Sequence, residues 1–159
     1  MRSIVDSSRL TPPPGSGRGR LSPVVSTHLT RLYSSRPRSL VMRSTQDVFD
    51  HHLACFAAGD LEGILSDFGE QSVLMTPLGL LRGPSEIRTF FEAVLAEFSA
   101  PGTQFTPHQM LVEGDCAFAA WDAETSANKY EGACDTFVIR DGRITVQTFS
   151  AKVTSKRPA

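Results

Sequence analysis

An α+β fold, three helices packed on a curved antiparallel sheet around a cone-shaped pocket, is predicted by the order of punctuation along the chain. Three helical patterns come first, and four extended runs separated by hairpin signals follow. At 159 residues the chain suits one domain with a full core.

The first helix opens at Ser44-Thr45-Gln46-Asp47, spaced as a capping box whose hydroxyl and carboxylate satisfy free amide groups. Phe49, Leu53, Phe56 and Ala57 follow at i, i+4, i+7 and i+8, one helical face, and Gly59 ends it. Asp60 caps a second, short helix with Leu61, Ile64, Leu65 and Phe68 on one side, closed by Gly69. Ser72–Thr76 reads as a strand ended by Pro77 and Gly79. The third helix has Pro84 at a first helical position and Glu86 near its positive end. Ile87, Phe90, Phe91, Val94, Leu95 and Phe98 form its apolar stripe, and Pro101-Gly102 ends it. Hairpin signals at Glu113–Asp115, Ser126–Lys129 and Asp141–Gly142 then divide the rest into four strands. These are Gln104–Val112, Ala117–Thr125, Tyr130–Arg140 and Ile144–Val153.

Two different materials meet near Met42. Residues 1–43 carry eight arginines against one acid, Asp6, a net of +7, whereas the remainder carries −8. The basic stretch is rich in Ser, Pro and Gly and has no sustained period of 3.6 or 2. It therefore lacks the apolar face needed to offset its ordering entropy. The expected boundaries are an extension over 1–43, a folded domain over 44–155 and a tail over 156–159. Three explanations of the extension stay open. One is a mitochondrial or plastid presequence, with a matrix-peptidase-like context at Arg31–Ser35. Another is a start placed too early, with Met42 as the true first residue. A third is a basic arm for nucleic acid, which no aromatic platform accompanies. The expected compartment is the cytoplasm, or the mitochondrial matrix if residues 1–33 are a presequence.

No apolar run approaches the ~20 residues of a bilayer span, so no membrane partner is expected. Cys55, Cys116 and Cys134 lie isolated among apolar residues, without zinc spacing, and read as reduced core thiols. No Gly-rich phosphate loop, HExxH or Walker motif occurs. The expected metal and cofactor are none, nucleic acid is not an expected partner, and a small apolar molecule is.

Phe56–Phe91, FAAGDLEGILSDFGEQSVLMTPLGLLRGPSEIRTFF, is similar to the opening half of bacterial ketosteroid isomerases and SnoaL-like polyketide cyclases. In this nuclear transport factor 2-like group a helix ends in an AGD turn, and a short helix precedes a strand ending near Pro. A G-x-x-x-I-R-x-F sequence then opens the long helix. Cys134–Val153 resembles the group's last hairpin. The resemblance runs from about Thr45 to Val153 and implies a cystatin-like roll with an internal pocket, commonly paired through its outer sheet face. Carried over residue by residue, the isomerase base falls on Thr76, which cannot accept a proton near neutral pH. The oxyanion-stabilising tyrosine falls on His52. The second oxyanion donor, an aspartic acid kept neutral by an apolar site, falls on Asp135, which matches.

Strand alternation puts Glu131, Ala133, Asp135 and Phe137 on one face. The family alignment aims Phe118, Ala120 and Asp122 inward from the preceding strand, and Gln147 and Phe149 from the last. The candidate catalytic residues are thus Asp135, Asp122 and His52, with Phe56, Thr76, Phe91, Phe118, Gln147 and Phe149 as pocket wall. Asp122 and Asp135 form an unequal carboxyl pair, one basic and one neutral, while His52 shuttles a proton or polarises a carbonyl. Trp121, Ala119 and Ala123 then fall on the outer face, as part of a homodimer contact. Plainer roles compete: a hairpin anchor for Asp135, a solvated edge for Asp122, a satisfied helix histidine for His52. Two functions follow. One is a cofactor-independent isomerase, cyclase or dehydratase acting on a small apolar carbonyl compound. The other is a non-catalytic ligand-binding or dimerisation module.

Overall fold

A computed structural model of the chain describes residues 42–156, so the expectations for the basic extension, and for the tail beyond Lys156, lie outside the described residues. The elements are α1 (Thr45–Ala58), α2 (Leu61–Ser66), β1 (Phe68–Thr76), β2 (Gly79–Arg82) and α3 (Gly83–Phe98). β3 (Gln104–Glu113), β4 (Cys116–Glu124), β5 (Asn128–Arg140) and β6 (Arg143–Ser155) complete them.

Local chemistry explains the helix ends. Ser44 Oγ accepts from the Asp47 amide at 3.1 Å while Asp47 Oδ2 accepts from the Ser44 amide at 2.9 Å, a closed capping box. Gly59 ends α1 in the left-handed conformation at φ 69°, which costs a glycine little. The Asp60 carboxylate accepts from the Gly63 amide at 2.9 Å and starts α2. Arg82, at the N-cap of α3, has no capping side chain of its own; its amide donates to Glu86 Oε2 at 2.7 Å.

Phe68 and Gly69 depart from expectation: α2 stops at Ser66 and both residues open β1. Phe68 leaves the helix because its ring has partners elsewhere, 5.6 Å from His52 and 6.0 Å from Phe91. β2 is an additional strand, turned back from β1 through Pro77-Leu78 with Thr76 paired to Gly79. The α+β class stands, and the six strands form one sheet in the order β2-β1-β6-β5-β4-β3. Four of its joins are antiparallel, whereas β1 runs parallel to β6, with β2 and the single helix α3 between β1 and the meander.

The helices pack on one face of this sheet. Val48, Phe49, Ile87, Phe91 and Leu95 meet Ala117, Ala119, Phe137 and Ile144 in a buried core. Of the cysteines, Cys55 is buried in it, Cys134 is half-buried and Cys116 is exposed, so the core-thiol expectation fails for Cys116.

Register decides which side chains face the helices. Ala119 lies directly across from Asp135, and opposed residues share a face. The inner face of β4 is therefore Ala117, Ala119, Trp121 and Ala123, all buried. Phe118, Ala120 and Asp122 point to the outer face, the reverse of the expectation. A second reversal lies in β5. Its pairing slips on both sides around Gly132, which holds φ 59°. One extra residue there breaks the alternation. Glu131 consequently does not share a face with Asp135, and Tyr130 turns inward in its place.

Gly132 is thus the residue that permits the bulge. Gly132→Ala is expected to cost about 1–2 kcal/mol, since an L residue pays that in the left-handed region. A urea melt should show a lower midpoint with an unchanged slope.

Candidate active site

Between α1, α3 and the inner sheet face lies a cavity of about 600 Å³. That is within the ordinary range of small-molecule sites. Its wall is largely aromatic, with Phe56, Phe90, Phe91, Phe98, Trp121 and Phe149 contributing rings. The polar groups that reach it are few: His52, Thr76, Glu97, Tyr130, Asp135 and Gln147, together with the Trp121 indole N–H. Among the described residues no cluster of three or more His, Cys, Asp or Glu is arranged to hold a metal ion. No helix among them is long and apolar enough to cross a membrane.

Asp135 sits on the middle strand of the three that form the wall and is 8% exposed. Trp121 Nε1–H donates to its Oδ2 at 2.9 Å from β4, and Gln147 Nε2–H donates to its Oδ1 at 2.9 Å from β6. Burial disfavours the ionised carboxyl and raises its pKa above the usual aspartate value. The two hydrogen bonds and nearby His52 pull the other way without cancelling the rise.

His52, 3% exposed, is held edge-on by Phe68, Phe91 and Phe137 at centroid distances of 5.4–5.7 Å. Its Nδ1 stands 3.6 Å from Oδ2 of Asp67, just beyond hydrogen-bond length. Asp67 is fully buried at the end of α2. Its Oδ1 takes Arg43 at 2.8 Å and His51 Nδ1 at 2.9 Å. Burial alone would raise this carboxyl, yet His52, His51 and Arg43 together hold it below the usual range. Of the adjacent histidines, only His52 lines the cavity.

Tyr130 and Glu97 form a further polar station. Glu97 Oε1 accepts from the Tyr130 hydroxyl at 3.0 Å, from Thr125 Oγ1 at 2.6 Å and from Asn128 Nδ2 at 2.9 Å. Burial and the Glu97 carboxylate push the Tyr130 phenol up to about 12.

The structure brings together His52, Phe56, Thr76, Phe91, Asp135, Gln147 and Phe149 around one cavity. Phe118 and Asp122 are not among its walls. Asp122 accepts from the Gly132 amide at 2.7 Å and pairs with His108 Nε2 at 2.9 Å on the outer side. His108 and that amide hold its carboxyl below the usual range, and its place on the outer face, away from the cavity, denies it the role of partner to Asp135. Thr76 Oγ1 accepts from the Leu78 amide and donates to the Gly79 carbonyl, both at 3.1 Å, which commits it to the β1–β2 turn.

Trp121, Tyr130 and Glu97 were not among the expected wall residues. Glu97 lies seven residues after Phe90 on α3, the spacing of one helical face. Asp122 and Glu124, the charges of β4, mark the outward set, which sends Trp121 inward. Gly132 inside a strand pattern is itself a bulge signal.

Comparison with known proteins now bears on this arrangement. The sequence profile of the SnoaL-like domain matches residues 49–147, well over half of the chain. The chain belongs to the SnoaL-like domain family. No curated protein matches it. Among solved structures, this SnoaL-like domain is similar to a putative ketosteroid isomerase from Kribbella flavida, at 14% identity and TM-score 0.57 over 74% of this chain and 84% of that one. A putative polyketide cyclase from Sinorhizobium meliloti matches at 18% identity and TM-score 0.53, over 67% and 98%. SalBIII, an epoxide hydrolase/cyclase-like enzyme in pyran ring formation in the polyether salinomycin, matches at 16% and 0.58, over 68% and 90%. At these identities the likeness is one of fold.

The raised pKa of Asp135 sets a stability test for this SnoaL-like domain. A carboxyl with a folded pKa above its unfolded value loses stability as pH rises through the unfolded value, the penalty being complete above the folded one. Asp135→Asn removes the penalty, and the Gln147 amide can turn over to accept from the new Nδ2. The variant is expected to melt several degrees higher than wild type at pH 8. The gain should vanish near pH 3.5, where both states of wild type are protonated. A variant less stable at both pH values marks Asp135 as an ionised anchor.

Proposed function

We propose that this SnoaL-like domain is a cofactor-independent acid–base enzyme, an isomerase, cyclase or dehydratase acting on a small apolar carbonyl compound. The observation that carries this reading is the buried Asp135 carboxyl, raised in pKa, in the wall of a 600 Å³ aromatic cavity that also holds His52. A neutral carboxyl donates a proton toward a carbonyl oxygen, and an imidazole accepts one from the adjacent carbon. The ionised Asp67 near His52 Nδ1 supports the imidazolium that forms. Thr76 is committed to a turn, so the base role passes to His52. The names of the structural neighbours, an isomerase, a cyclase and an epoxide hydrolase/cyclase-like enzyme, point to the same class of chemistry.

The second reading, a non-catalytic binding module, is favoured by one fact: both Asp135 oxygens already have protein donors. Deuterium exchange at the carbons beside the carbonyl of cyclododecanone, followed by mass spectrometry, separates the two. Wild type is expected to accelerate exchange, and Asp135→Asn and His52→Gln each to slow it about a hundredfold or more. Binding of the ketone without accelerated exchange leaves the binding module standing.

The dimer is also proposed, through different residues from those first expected. Leu111, Phe118, Val138 and Val146 share the outer sheet face by register, away from the helices. Phe118→Glu is expected to lower the sedimentation coefficient to that of a monomer. A wild-type monomer at tens of micromolar ends the idea.

A further inference from the structure

The polar atoms of the cavity are unequally provided for. Asp135 takes a donor on each oxygen, and the Tyr130 hydroxyl is committed to Glu97. Gln147 Oε1 is the exception. The side chain is 4% exposed, lines the cavity, and its amide nitrogen is committed to Asp135 Oδ1. Its carbonyl oxygen has no donor among the described residues. With the Asp135 proton on Oδ2, where it can face the substrate carbonyl, Oδ1 stays an acceptor, and turning the amide over would set two acceptor oxygens against each other. A buried acceptor left open in this way is a receptor for a donor brought from outside.

We propose that Gln147 is a specificity residue and that the substrate is an apolar hydroxy ketone. Its hydroxyl donates to Gln147 Oε1 while its carbonyl is met by Asp135. This rests on the acid–base reading of the same site. The two groups must be close neighbours in the substrate, on adjacent carbons or one carbon apart, because the Gln147 amide and the Asp135 carboxyl are themselves in contact at 2.9 Å. Beyond them the ligand is hydrocarbon. The rest of the wall is aromatic: the Tyr130 hydroxyl is bonded to Glu97, and His52 Nδ1 faces Asp67. At the mouth, Leu78, 98% exposed, stands with Phe105, Met110 and Val153, all exposed, as an apolar collar for a body longer than the chamber.

The test uses three probes of one skeleton: cyclododecanone bearing a hydroxyl on the carbon beside its carbonyl, the methyl ether of that compound, and plain cyclododecanone. Trp121 is the only tryptophan of the chain and lines the cavity, so its fluorescence reports binding of these non-absorbing probes. Wild type is expected to bind the hydroxy ketone about tenfold or more tighter than either analogue, since only it can fill the open acceptor. Gln147→Met should bring the three within about threefold of one another. The wild-type comparison needs no variant, so poor folding of Gln147→Met cannot obscure the answer. Equal binding of all three by wild type overturns the hydroxyl assignment and leaves the acid–base reading to its own exchange assay. If none of the three perturbs Trp121, the inference falls together with the pocket on which it rests.

Discussion

The Asp135 carboxyl joins three strands across the inner face of the sheet. Trp121 reaches it from β4 and Gln147 from β6, so one group ties both strands that flank β5. A buried carboxyl is costly unless hydrogen-bonded, and both bonds are therefore compulsory rather than decorative. Much of the wall follows from meeting that requirement. With its N–H committed, the Trp121 indole must lie along the sheet. Phe149 stacks on it at 6.0 Å and 17°, Phe105 covers it at 5.2 Å, and Phe98 meets its edge at 5.9 Å. The aromatic chamber is organised around an acid.

The same strands owe their curvature to a second acid. Asp122, on the outer face, holds the Gly132 amide with one oxygen and His108 with the other. Both partners sit where the ladders slip: β5 carries an extra residue around Gly132, and β3 one at His108, between Pro107 and Gln109. Bulges bend the strand that carries them and increase its twist. Two on either side of β4, tied to one carboxylate, give the sheet a bend at one place. Asp122 stands outside the cavity, and its hydrogen-bonded carboxylate is lowered in pKa where that of Asp135 is raised.

The fold was legible because its signals are local. The capping box at Ser44–Asp47, the left-handed glycine at Gly59 and the hairpin turns each act within four residues, and their chemistry does not depend on the rest of the chain. β2 escaped because four residues beside a proline turn carry too little period to register, and the parallel join of β1 to β6 is a matter of topology, which no local pattern encodes. The site was legible only in part. Asp135, His52 and Gln147 fell on the cavity because each lies on an element whose phase was read correctly. Phe118 and Asp122 failed because β4 is apolar on both faces but for Asp122 and Glu124, and the family resemblance implies a phase that these two charges contradict. Glu131 failed for a different reason: period 2 was carried straight through Gly132, where a bulge resets it.

The unequal pair expected of Asp122 and Asp135 does not form in this pocket; the second acid near the site is Asp67, behind His52 and outside the cavity wall. Asp135 is raised in pKa by burial. Asp67, also buried, is held low by three basic side chains. Burial pushes both the same way, and at Asp67 its basic partners outweigh it. His52 stands between these two environments, with Nδ1 toward Asp67 and its ring against the cavity wall. A proton leaving a substrate would meet an imidazole with the Asp67 carboxylate 3.6 Å from its Nδ1. A developing oxyanion would meet an acid whose pKa burial raises. Asp67 comes from the end of α2, His52 from the middle of α1 and Asp135 from β5, so helix packing on the sheet sets the separation of the two roles. The division of labour proposed for the site is therefore a consequence of the same docking of α1 and α2 that closes the core.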